Sequence, residues 1–166
     1  MKEFFEEIKR LLCRRNALIA CTGSPLRMDD RAGLVLYSKL AERGYHVVEC
    51  EYGLENCLIE IVEQKPEVLL VVDAVYGEKL NPGDIVLVDE NSLEDTVFPV
   101  STHSIPLKQV IDMIKSRAGV KQVFLLGIRA KNLGIGDEIS EEVLSSINYL
   151  ADLISKAIEE CRRRTS

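Results

Sequence analysis

The stretch CTGSPLRMDDRAGLVL, residues 21–36, decides how the rest of the chain is read. An apolar run, NALIACT at 16–22, stops at Gly23-Ser24-Pro25 and gives way, behind the adjacent acids Asp29 and Asp30, to an amphipathic segment carrying Leu34, Val35, Tyr37, Leu40 and Ala41 and ending at Gly44. A strand, a tight loop and a helix N-terminus follow from that order, and α/β proteins concentrate ligand chemistry at such junctions. In this reading either aspartate can cap the helix.

Outward from this unit, strands and helices alternate. Phe4, Phe5, Ile8, Leu11 and Leu12 fall at helical spacing among charges and predict an amphipathic helix over 2–13. HVVECE at 46–51 reads as a strand, and ENCLIEIVEQ at 55–64 as a helix ended by Pro66. EVLLVVDA at 67–74 is the most apolar strand, its unbroken run implying burial on both sheet faces, and it closes on Asp73. DIVLVD at 84–89 follows by a connection too short for a crossover helix, which predicts an antiparallel edge strand. A polar stretch over 90–104 leads to a helix at 106–117 opened by Pro106, then to a strand, KQVFLLGI at 121–128. A long closing helix at 140–161 carries Leu144, Ile147, Leu150, Ala151, Ile154 and Ile158 on one stripe, with Ser140, Glu142 and Val143 as its capping sequence. The expected fold is a three-layer α/β sandwich: a mostly parallel twisted sheet of about five strands with helices on both faces. With 166 residues, no repeats and no linker, a single domain over 1–166 is expected, with a basic tail at 161–166.

Composition narrows the function. With 21 basic and 27 acidic residues the net charge is −6, which offers nothing to nucleic acid or anionic lipid. The cluster Arg162 to Arg164 reads as a solvated end beside a helix C-terminus. No run approaches the ~18 apolar residues of a membrane span. Five cysteines, an odd number without a C-x-x-C pair, argue against a disulfide framework and a structural zinc site, and favour a reducing cytoplasm.

Three residues stand where a doubly wound sheet would collect ligands: Asp30 after the first strand, Asp73 at the end of the most buried one, and His103 in the loop STHS. Two carboxylates and an imidazole leave coordination positions open and suit a borderline divalent ion such as nickel or zinc. Each has a plainer role: a helix cap for Asp30, a turn residue for Asp73, a backbone partner for His103. His46 reads as structural. Cys21 reads as a small buried hydrophobe rather than a nucleophile. Ser24, Ser101 and Ser104 lack a G-x-S-x-G context, and Gly23-Ser24-Pro25 lacks the glycines and lysine of a phosphate loop.

These motifs together resemble the hydrogenase maturation endopeptidases. That family's first motif, Gly-x-Gly-Asn-x-Leu followed by an acidic pair and Gly-x-Gly, is similar to the segment from Cys21 to Gly33. Its Val-Asp-Ala strand end is similar to Val72-Asp73-Ala74, its Thr-His before a Pro-Leu helix start to Thr102-His103 and Pro106-Leu107, and its Gly-Ile strand to Gly127-Ile128. The likeness runs over about 18–158. It implies an aspartyl-type endopeptidase that removes the C-terminal extension of a nickel-iron hydrogenase large-subunit precursor after nickel insertion. Asp30, Asp73 and His103 would contact the nickel, or another divalent ion in its place, carried by that substrate, and Asp30 or Asp73 would assist as base. A non-catalytic nickel-sensing or chaperone homologue and an unrelated small-molecule hydrolase are the competing readings. The chain departs from the family motif at Ser24, where asparagine is usual, at Cys21 and Arg31, where glycines are usual, and at Arg129-Ala130, where Gln-Pro is usual. Arg31 beside Asp30 is expected to alter the charge of the site.

Overall fold

The computed structural model describes residues 1–93, 98–99 and 105–165. Helix α1 spans Lys2–Leu12 and strand β1 Leu18–Gly23; a 3-10 turn at Met28–Arg31 then leads into α2, Ala32–Glu42. β2 is Val48–Glu51 and α3 Leu58–Gln64. β3 is Val68–Tyr76, β4 Ile85–Asp89 and the two-residue β5 Phe98–Pro99. α4, Leu107–Ala118, β6, Gln122–Arg129, and α5, Glu141–Thr165, complete the order.

The main sheet runs β2-β1-β3-β6-β4, with β5 paired to the end of β3. β1 pairs parallel with β2 and β3, β3 parallel with β6, and β4 antiparallel with β6 at the edge. A mostly parallel sheet of five strands with an antiparallel edge is thus the observed fold, as the sequence predicted. β3 carries it: eight of its nine residues are buried, because alternate side chains enter different cores. Leu70 and Val72 face the layer of Ile8, Leu36, Leu40, Leu150 and Ile154 on α1, α2 and α5. Leu69 and Val71 face Ile61, Val110 and Ile114 on α3 and α4. A strand buried on both sides is apolar on both of its alternating faces, and Asp73 is the one charged residue among those that β3 buries.

After β1 the chain moves outward to β2 and then returns across β1 to β3, so the strand order reverses between β1 and β3. A crevice opens at the carboxyl ends of strands at such a reversal. Helix α2 starts directly over it, and Gly33 makes that approach possible: a Cβ there would lie 2.1 Å from the Thr22 carbonyl oxygen and 2.9 Å from that of Val72. Neither backbone atom can yield without moving the sheet. Gly33→Ala is therefore expected to cost about 3 kcal/mol, or roughly 6–12 °C of melting temperature. A thermal melt within a degree of wild type would contradict this packing.

Two expectations are corrected. Four of the five cysteines form disulfides: Cys13 with Cys161 and Cys50 with Cys57, at Cα separations of 5.2 and 5.5 Å, leaving Cys21 free and buried. Packing of α1 against α5 brings together partners 148 residues apart, which spacing along the chain cannot reveal. The cysteine argument for a reducing compartment loses its ground. The arginines at 162–164 also lie on α5 rather than behind it. Among the described residues, no helix is long and apolar enough to cross a membrane.

Candidate active site: a buried carboxylate pair

Asp30 sits on the 3-10 turn after β1, and Asp73 points from β3 one position beyond Val72, the partner of Cys21. Gly23 lets the turn fold back on the strand end, since a Cβ there would meet the Asp30 carbonyl oxygen at 2.3 Å, and the Ser24 amide donates to the same oxygen at 3.3 Å. Both acids are buried, with 3% and 6% of their surface exposed.

Burial and mutual repulsion set their chemistry. Desolvation pushes the Asp30 carboxyl up to about 6, with the Arg27 guanidinium and the Ser24 amide opposing it. Desolvation, then the charge of Asp30, raises Asp73 well above the usual carboxylate range, against hydrogen bonds from Thr22 and from the Ala74 amide, the latter 2.8 Å long. Both carboxyls are therefore harder to ionise than an ordinary aspartate, Asp73 the more so because the charge of Asp30 acts on it. The Oδ1 atom of Asp30 is buried without a hydrogen-bond partner, a costly condition that a cation or a proton donor would relieve. Among the described residues, no three His, Cys, Asp or Glu side chains are grouped to hold a metal ion. His103, the third residue of the expected set, lies outside the described residues.

Asp29 and Asp30 do not cap α2, whose N-cap is Arg31 with no side-chain cap bond. The 3-10 turn intervenes and sends the two acids in different directions: Asp30 toward Asp73, Asp29 to the segment 131–140 that joins β6 to α5. The Ser140 hydroxyl likewise donates to Asp29 at 2.7 Å, so the serine expected in a helix cap is used elsewhere. Arg31 is not the cation that acts on Asp30; its guanidinium donates to the Asp137 carbonyl. Arg27, which sequence reading did not single out, has that role. Arg27→Gln is expected to move the Asp30 titration above about 6. Carboxyl-carbon NMR across pH 4–8 checks this, and an unchanged midpoint would show that the charge of Arg27 is screened.

Exposed apolar side chains border the same end of the sheet. Leu26 stands next to Arg27, which bridges to Gly136 beside the exposed Ile135. The Tyr52 amide donates to the Gly23 carbonyl at 2.8 Å, and Tyr76, exposed at the end of β3, stacks under Arg129 at 4.7 Å. No periodic pattern marks these four residues, because each belongs to a different loop or strand end.

A family model described as hydrogenase maturation protease matches residues 45–157. The chain belongs to the hydrogenase maturation protease family. The match takes in Asp73 and His103 and begins after Asp30. The Hydrogenase 3 maturation protease of Escherichia coli K12 is 30% identical over 133 residues, 78% of this chain and 83% of that protein. Among solved structures, the [NiFe] hydrogenase maturation protease HycI from Thermococcus kodakarensis KOD1 superposes with a TM-score of 0.78 at 25% identity, over 92% of this chain and 99% of that one. The solution structure of the endopeptidase HycI from Escherichia coli gives 0.70 at 29% identity, over 84% and 89%. The hydrogenase maturation proteases are peptidases, so this chain is placed among hydrolases.

Proposed function

We propose that this hydrogenase maturation protease is the endopeptidase that removes the C-terminal extension of a nickel-iron hydrogenase large-subunit precursor once nickel is in place. Asp30, Asp73 and His103 contact the nickel held by the substrate, or a divalent ion in its place. The observation that carries the reading is the Asp30–Asp73 pair: buried, repelling one another, and with Oδ1 of Asp30 lacking any partner. An apoprotein tolerates such a pair at a cost in stability; a divalent ion brought by the substrate offsets that cost by neutralising it. A resident ligand set is not needed, because the substrate supplies the remaining coordination.

The same pair suits hydrolysis. Asp30, with its pKa near 6, is matched to accept a proton from an attacking water near neutral pH. Nickel in the precursor can polarise the scissile carbonyl or that water. The exposed Leu26, Tyr52, Tyr76 and Ile135 around the crevice offer apolar contacts to an extended peptide. Incubating purified precursor with the protein and weighing the products tests this: loss of a C-terminal peptide, absent with His103→Ala, supports it. An intact precursor favours a nickel-sensing homologue that does not cleave.

A further inference from the structure

Asp29 is fully buried, and its carboxylate is taken up by hydrogen bonds from the segment 131–140. Its Oδ2 accepts from the Lys131 and Asn132 amides, both at 2.8 Å, and from the Ser140 hydroxyl at 2.7 Å; its Oδ1 accepts from the Ser140 amide at 2.8 Å. Four donors on one carboxylate make a clasp stronger than neutral bonds would. Backbone contacts close the rest: Asp29 N to Asn132 O, Met28 N to Gly136 O and Gly136 N to Leu26 O, each 2.9 Å. The clasped turn is also strained, since Met28 holds a φ of 49° without being glycine. An L-residue there costs about 1–2 kcal/mol and persists where its surroundings over-determine it.

We propose that Asp29 is a positioning residue: it locks the turn 24–31 to the segment 131–140 and so holds Asp30 facing Asp73. The inference rests on the proposed function for the importance of Asp30, and adds what keeps that carboxylate in place. Asp30 cannot turn away while its neighbour is held from the opposite side, its own amide is bonded to the Arg27 carbonyl at 3.0 Å, and its carbonyl receives the Ser24 amide.

The test uses Asp29→Asn, which keeps the size, removes the charge and sets an NH2 group either against the Lys131 and Asn132 amides or, flipped, against the Ser140 amide. Ser140→Ala, which loses one bond and keeps the carboxylate, is the milder variant should the first not fold. Two readouts are taken on folded protein. Hydrogen exchange is expected to quicken at residues 131, 132 and 140 and also at Ser24 and Asp30, across the clasp. Processing is expected to lose about 10–100-fold in kcat, in line with a small misplacement of a reacting group, with KM within about threefold. Faster exchange confined to 131–140, or a wild-type kcat, overturns the inference by making the clasp structural only. Should wild-type protein fail to cleave the precursor, the proposed function falls by itself, and exchange at Ser24 and Asp30 alone decides whether Asp29 positions Asp30.

Discussion

Asp30→Asn is expected to stop precursor processing and, at pH 7.5, to melt at a higher temperature than wild type. The two effects have one cause. The Asp30 carboxyl titrates at about 6 in the fold against 3.8 in an ordinary setting, so folding disfavours its ionised form. Below pH ~3.8 both states carry the proton and the penalty is absent. As pH rises through the interval up to ~6 the unfolded chain ionises first, and wild type loses stability relative to it. Above ~6 the penalty is complete. An asparagine never ionises, so the variant should gain a few degrees at pH 7.5 and almost nothing at pH 4. Asp73→Asn should behave alike, since Asp73 is raised as well. Processing should fall at least about 100-fold, the range of a lost general base. Gains in stability at the expense of activity mark residues kept for function. Melts at the two pH values and a cleavage time course check both halves; a variant that melts lower at pH 7.5, or that still processes at the wild-type rate, contradicts the site.

The second large effect concerns the bridge between Cys13 and Cys161, residues separated by 148 positions. Closing so long a loop limits the unfolded chain, an effect worth about 2–4 kcal/mol in typical cases. Cys161→Ala should therefore lower the melting temperature by roughly 5–15 °C. The α1–α5 contact retains support without the bridge: Lys9 reaches Glu160 at 3.8 Å, and Lys156 lies 4.7 Å above the Phe5 ring. Processing at 25 °C should be unaffected, because neither sulfur touches the carboxylate pair. Differential scanning calorimetry of the variant and of wild type before and after reduction makes the measurement. Equal melting temperatures would mean that helix packing alone holds these two helices. The bridge between Cys50 and Cys57 spans only 7 positions and should matter less to global stability. It fastens the turn carrying Tyr52 beside Gly23, at the edge of the crevice.

What could be read from the sequence follows from the range over which each interaction acts. The LLVV run of β3, the short connection before β4 and the Gly23-Ser24-Pro25 break are local, and each led to the element observed. Asp73 was legible as a candidate from its place at the end of the most apolar strand, and the fold sets it where the charge of Asp30 acts on it. The disulfides were not legible, since the meeting of α1 with α5 is a property of the folded layers. Nor were the separate duties of Asp29 and Asp30. Adjacent acids before a helix both satisfy the capping rule, but the 3-10 turn at Met28–Arg31 gives one to β3 and the other to 131–140. Arg27 and Arg31 were exchanged for the same reason: proximity in sequence favoured Arg31, while the turn directs its guanidinium to Asp137. His103 lies outside the described residues, and its proposed part in the site rests on its place in the loop STHS and on the likeness to the family's Thr-His motif.

The central claim is that the Asp30–Asp73 pair acts on a metal which the substrate carries. The most direct measurement compares purified nickel-loaded large-subunit precursor with the same precursor lacking nickel, each incubated with the protein and followed by intact-mass spectrometry. The C-terminal peptide should be lost from the loaded precursor alone, and Asp30→Asn should abolish that loss. Equal cleavage of both precursors would contradict the account.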